Sequence, residues 1–219
     1  MNIYAGIGGN RTLWGDDHDI TAVELDADIA AVYAKRFPSD RVVVDDAHEY
    51  LLKHISEYDF IWSSPPCITH SRLNHVNMMR VDRRDKRRYP CMTLWQQIIL
   101  LTHYHKLGAS WVVENVISYY HPLVEPTATI GRHRYWSNLP LRSKSMPHID
   151  LQARGIKHLA KVHNIDLSIL EGYGFNSYKK RQILRNIACP ATGGAILDLA
   201  LGKKQEQRHQ LALDLGAEI

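Results

Sequence analysis

Short apolar runs, each closed by a polar or acidic residue, recur along the first half of the chain. Asn2 to Ala5, Thr21 to Glu24, Arg41 to Val44, Phe60 to Ser63 and Trp111 to Val113 read as buried strands. Between them, Asp26 to Phe37 places Ile29, Val32 and Tyr33 on one helical face, and Ala47 to His54 and Thr93 to Leu107 read as further helices. Strands alternating with helices predict an α/β fold with one mostly parallel sheet and helices on both faces.

In such a sheet ligands gather outside the carboxyl ends of the strands, so the residues that close each run carry the chemistry. The first run enters Gly6-Ile7-Gly8-Gly9, where glycines permit positive φ and a close backbone approach to a ligand, although any tight turn uses them. Glu24 closes the second run about 15 to 18 residues further on. That is near the place of a ribose-binding carboxylate in nucleotide-binding α/β folds, and it also suits a plain surface acid. Asp45-Asp46 closes the third. The fourth stops at Ser64-Pro65-Pro66, because prolines remove ladder donors and fix φ, and Cys67 is displayed on that platform. Read alone, Cys67 is either a nucleophile at a strand end or a small buried hydrophobe. The fifth run delivers Glu114-Asn115-Val116, and a carboxylate at the end of a buried strand is costly unless it is needed.

Composition narrows the setting. At 219 residues the chain fits one domain with a core of its own, and three widely spaced cysteines argue for a reducing compartment. It shows no charged-then-apolar leader and no apolar run long enough for a bilayer, so a soluble cytoplasmic protein is expected. The 13 histidines form no metal-ligand spacing with cysteine or carboxylate, so no metal is expected. The formal charge is only +4, yet Arg80, Arg83, Arg84, Lys86, Arg87 and Arg88 crowd into the segment from Ile68 to Pro90, which lacks apolar periodicity. This cluster is either a solvated surface or a phosphate-binding loop over the site.

Tyr4-Ala5-Gly6-Ile7-Gly8-Gly9, Pro65-Pro66-Cys67, Glu114-Asn115-Val116, Arg132-His133-Arg134 and Arg181-Gln182-Ile183-Leu184-Arg185-Asn186 occur in the order of the motifs of the cytosine-C5 DNA methyltransferases. The chain resembles that family over most of its length. The resemblance implies a Rossmann-like fold that uses S-adenosylmethionine and releases S-adenosylhomocysteine. It implies that Cys67 adds to C6 of a flipped-out cytosine in duplex DNA, that Glu114 meets the base's N3 and amino edge, and that Asn115 braces the loop. Arg134, with Arg132 beside it, would approach the cytosine O2 and the thiolate. For the cofactor it implies Tyr4, Gly6 and Gly8 around the methionine and adenosine, Glu24 on the ribose, Asp46 on the adenine, and Pro66 and Asn186 closing the pocket. The segment from Lys180 to Leu199 would return beside the first strand, with an amphipathic helix from Gly194 onward. No base for the C5 proton is identified.

The departures are as informative. Asn2 stands where the family usually has Asp, Ile68 and His70 replace Gln and Phe, Ile130 replaces Gln, and Arg185 replaces Gly. Only 14 residues separate Val116 from Gly131, so a trimmed far sheet edge is expected. About 40 residues lie between Trp136 and Tyr178, where the family carries a much larger recognition domain. The chain is therefore divided into a catalytic and cofactor core (1–137), a reduced, irregular recognition segment (138–177) and a returning C-terminal segment (178–219). Lys144, His148, Arg154, Lys157, His158 and Lys161 suit phosphates better than base edges, so relaxed specificity, or reading by a second subunit, is expected. Such economy resembles phage or mobile-element enzymes, including those of restriction-modification. An RNA cytosine-C5 methyltransferase of the same fold and a regulatory, catalytically weak DNA-binding paralogue are the alternatives. Amino-methyltransferases, which place an aromatic where Cys67 stands, are disfavoured.

Overall fold

The computed structural model describes residues 1–79, 89–145 and 155–202. In chain order they form β1 (Asn2–Ile3), a 3-10 turn (Asn10–Leu13), β2 (Thr21–Glu24), α1 (Ala27–Arg36), β3 (Arg41–Val44), α2 (Ala47–His54) and β4 (Phe60–Ser63). Then follow α3 (Arg72–Met78), α4 (Thr93–Tyr104), β5 (Ser110–Val116), β6 (Ala128–Ile130) and β7 (His133–Ser137). The chain ends with α5 (Ile156–Val162), a 3-10 turn (Leu167–Leu170), α6 (Ser177–Arg185) and α7 (Pro190–Ala200).

The sheet order is β3-β2-β1-β4-β5-β7-β6. The first five strands are parallel, and β7 runs antiparallel to both β5 and β6. The winding reverses between β1 and β4, which makes their carboxyl ends the switch point where such sheets bind ligands. Register alternation splits the core. Ile3, Val23, Ile61 and Val113 face α2 and α4, whose Leu51, Leu94, Trp95, Ile98 and Leu101 are buried against them. Trp62, Val112 and Tyr135 face the other side, where Ile196 and Leu197 of α7 and Trp14 cover them, and Tyr33 of α1 covers Ala22. Each such side chain contributes roughly 1.5–3 kcal/mol by burial.

Caps set the helix starts. Asp26 accepts from the N–H groups of Asp28 and Ile29 at the head of α1, and Asp46 does the same for His48 and Glu49 at α2. Lys179 of α6 reaches Asp26 at 2.8 Å and ties the returning chain to α1.

Several expectations are corrected. The segment from Ile68 to Pro90 is not without structure, because α3 lies inside it; its residues 80–88 are outside the described ones. The far sheet edge keeps both β6 and β7, and what is short is their connection from β5, 117–127, which holds no helix. The last helix starts at Pro190 rather than Gly194, since a proline at the first helical position needs no donor. Residues 155–175 are less irregular than expected: Leu159, Ile165 and Leu170 pack with Ile7, Val32, Ile183 and Leu184 in one core.

Gly193 fixes how α7 docks. A Cβ there would lie 2.3 Å from the carbonyl oxygen of Asn10, and the Gly193 carbonyl accepts from Trp14 Nε1 at 3.0 Å. Gly193→Ala is expected to lower unfolding stability by about 1–3 kcal/mol through overpacking against backbone. Denaturant unfolding checks this, and an unchanged midpoint would show that α7 docks otherwise.

Candidate active site

The end of β4 builds the platform for the thiol. The Ser64 N–H still reaches the Ile3 carbonyl at 3.4 Å, and the prolines then end the ladder. Asn115 Nδ2 donates to the Pro65 carbonyl at 2.8 Å while its Oδ1 accepts from the Val116 N–H at 2.9 Å, so the end of β5 braces the proline turn. The Cys67 carbonyl accepts from the N–H groups of both His70 and Ser71 at 3.0 Å, closing the turn that leads to α3. Cys67 is half-buried. Burial, and then the neighbouring charge of Glu114, pushes its thiol up to about 11, so it is protonated at neutral pH in the free protein.

Glu114 is 8% exposed and held from two sides. Ser64 Oγ donates to its Oε2 at 2.7 Å, and Trp62 Nε1 donates to Ser64 Oγ at 2.8 Å, which frees the serine proton for the carboxylate. His133 Nε2 lies 3.4 Å from Oε1. The sequence reading did not anticipate Ser64 or His133. For His133 the signal is parity: His133 and Tyr135 fall on the same side of β7, and Tyr135 pairs in register with Glu114.

That parity also places the arginines. Arg134 pairs in register with Asn115 rather than Glu114, and its guanidinium donates to Ser118 Oγ at 2.9 Å. Arg132 is exposed; burial first, and then the charge of Arg132, lowers the pKa of His163. Neither arginine is hydrogen-bonded to Cys67 or Glu114 in this arrangement. His70, at the position where an aromatic was expected, is buried with Nδ1 2.5 Å from Tyr120 Oη, and burial lowers the pKa of its ring.

The cofactor candidates line the neighbouring strand ends. Gly6 has φ +54° with open space where a side chain would project, so a ligand can come close to it. Gly8, at φ +76°, is closely packed, since a Cβ would lie 2.4 Å from Phe37 and 2.8 Å from Tyr33. Glu24 accepts from the Gly6 N–H at 2.9 Å and the Asp26 N–H at 3.0 Å, one on each oxygen, and each oxygen keeps a second lone pair. Tyr4 is tied by its hydroxyl to Gln97 Nε2 at 2.7 Å, and Gln97 Oε1 accepts from Ser63 at 2.6 Å. Asp46 and Pro66 are exposed at the same edge, Asp46 serving as the cap of α2. Asn186 is exposed at the end of α6, just before Ile187 and Ala188, against which Gly9 is packed. Arg80, Arg83, Arg84, Arg87 and Arg88 lie outside the described residues. Among the described residues no group of three or more His, Cys, Asp or Glu is placed to hold a metal ion, and no helix is long and apolar enough to cross a membrane.

Comparison with solved structures finds DNMT2 of Spodoptera frugiperda (an E260A/E261A/K263A mutant) at 12% identity and TM-score 0.55, over 92% of this chain and 98% of that one. At that identity the likeness speaks for the fold. A protein described as a DNA modification methyltransferase encoded within an E. coli prophage matches at 18% identity and TM-score 0.36, over 62% of this chain and 44% of that one. A protein of Haemophilus influenzae described as a methylase matches at 21% identity and TM-score 0.38, over 62% and 83%. Comparison with curated protein sequences finds no match. The sequence profile for C-5 cytosine-specific DNA methylases matches residues 1–121, from the glycine turn through the β5 carboxylate. With more than half of the chain inside that match, the protein belongs to the C-5 cytosine-specific DNA methylase family.

Proposed function

We propose that the protein methylates C5 of cytosine in DNA, through a covalent bond between Cys67 and C6 of a base flipped out of the duplex, using S-adenosylmethionine. The observation that carries this reading is the pairing of a thiol and a buried carboxylate at the ends of adjacent parallel strands, joined by Ser64. S-adenosylmethionine supplies an electrophilic methyl group. The open face of Gly6 beside Glu24 suits its nucleoside, Glu24 receiving the ribose hydroxyls on its spare lone pairs. Tyr4, Asp46, Pro66 and Asn186 would complete that pocket, and Gly8 supports it by letting the turn pack on α1.

In this reading the sulfur of Cys67 adds to C6, the C5=C6 electron pair shifts to make C5 nucleophilic, and Glu114 stabilises N3 as it gains a proton. A free thiol at about 11 is a poor nucleophile at neutral pH, so a cation must come close when the base enters. Arg134 is the group for that, exchanging Ser118 for the base, with Arg132 beside it. Residues 1–137 form the catalytic and cofactor core, 178–219 closes it, and 138–177 serves as a reduced recognition segment, supplemented by a second subunit or by relaxed specificity. The arginines from Arg80 to Arg88 are assigned to DNA phosphates on charge alone.

Label from S-adenosylmethionine is expected on C5 of cytosine in duplex DNA with wild type and not with Cys67→Ser. Glu114→Gln is expected to lower kcat by about 10²–10⁴-fold. Transfer to matched RNA exceeding that to DNA would replace DNA by RNA as the substrate. No transfer to either, with cofactor bound, would sink the enzyme reading and leave a regulatory DNA-binding protein.

The thiol also predicts a pH profile. Because only the thiolate reacts, alkylation of Cys67 by iodoacetamide in the free protein should climb from pH 7 to 10 without a plateau. Removing the neighbouring negative charge favours thiolate, so Glu114→Gln should alkylate faster than wild type at pH 8. A plateau near pH 8, or a slower Glu114→Gln, would contradict the electrostatics described here.

A further inference from the structure

Glu114 raises a supply problem that rests on the proposed reaction. When sulfur adds to C6, the C5=C6 pair moves to C4=C5 and the C4=N3 pair moves onto N3, which must take up a proton. The acid facing it is buried, with a side chain 10% exposed, so water does not recharge it freely. Ser64 does not solve this. Its single proton is already directed at Oε2, and Trp62 occupies its oxygen from behind.

His133 is placed differently. Its Nε2 lies 3.4 Å from the other carboxylate oxygen, Oε1, and its side chain is 26% exposed, so one ring joins the buried acid to solvent. The remaining groups around the pair are few. Cys67 faces Glu114 from the β4 turn, Tyr135 lies beside it on β7 with Cys189 behind, and Arg134 on the same strand is turned away to Ser118. None of these joins Oε1 to solvent.

We propose that His133 is the positioning and proton-supplying partner of Glu114. The imidazolium gives its Nε2 proton to Oε1 of the Glu114 carboxylate, and the carboxyl group so formed passes that proton to N3 as sulfur adds to C6. Once C5 carries the methyl group, loss of the C5 proton re-forms C5=C6 and expels the thiolate, and the N3 proton returns through Glu114 to His133, so the pair is reset. The N3 proton is thus balanced within the pair, because the same proton goes out and comes back, while the thiol proton released on addition and the C5 proton released as C5=C6 re-forms pass to water. His133 acts through Glu114 and is not required to touch the base.

The test compares wild type, His133→Gln and His133→Ala in single-turnover methyl transfer from pH 5.5 to 9, with KM for S-adenosylmethionine measured alongside. Glutamine keeps a donor within reach of Oε1 but cannot deliver a proton. Both variants are expected to lose about tenfold or more in rate with KM for the cofactor unchanged, and to show a pH profile altered from that of wild type. A glutamine variant with wild-type rate and pH profile would overturn proton supply and leave only a hydrogen bond. A readout without turnover accompanies this, in which the ring ¹⁵N resonances of His133 are followed across pH in wild type and Glu114→Gln. The two curves are expected to be displaced from one another, and coincident curves would overturn the pairing even if no methyl transfer were detected. Failure of wild type to methylate any nucleic acid, with displaced curves, would count against the enzyme reading and not against the pair.

Discussion

A carboxylate buried at the end of β5 constrains everything around it. Glu114 sits where water is largely excluded, and an unpartnered carboxylate there would cost several kcal/mol. The surrounding chain is arranged to meet it. Ser64 must project from the last position before the prolines, β4 must therefore pair with β5 in this register, and β7 must return antiparallel to present His133. The same arrangement presses a negative charge against Cys67, which favours its thiol form.

The far side of the site is held by different means. The turn after β1 is packed from behind through Gly8 against α1 and through Gly9 against the chain between α6 and α7, leaving Gly6 as its open face. Beneath it, Asn2 and Asn10 exchange reciprocal side-chain hydrogen bonds at 3.3 and 2.9 Å, both buried. Asn2 thus replaces a usual acid with a neutral pair that needs no counter-ion. Arg11 is buried with Asp40 at 2.9 Å and stacks on Phe37, fixing the turn to the end of α1. The C-terminal helices are part of this packing, and the turn after β1 depends on them.

Strand ends were the most legible feature of the sequence, because apolar runs closed by Glu24, Ser64 and Glu114 carry their meaning in linear order. Side-chain direction was harder to read. Arg132-His133-Arg134 looks like two arginines aimed at a site, yet strand alternation turns His133 to the carboxylate and Arg134 to Ser118. Tyr4 reads as a ligand contact, and nothing near it in the chain announces that its hydroxyl is held by Gln97, which lies 93 residues away. Such long-range partners leave no local periodicity. The helix α3 was missed for a related reason: Arg72–Met78 is short and mostly polar, and it is started by the Cys67 turn rather than by an apolar stripe.

The central claim is that Cys67 bonds to the base. It is tested most directly by incubating the protein and S-adenosylmethionine with duplex DNA carrying 5-fluorocytosine, whose fluorine cannot leave as a proton does, and mapping any crosslinked peptide by mass spectrometry. The account predicts a denaturation-stable, cofactor-dependent complex in which the nucleotide is attached at Cys67. Methylated cytosine produced without any such complex, or with the attachment at Cys91 or Cys189, would contradict it.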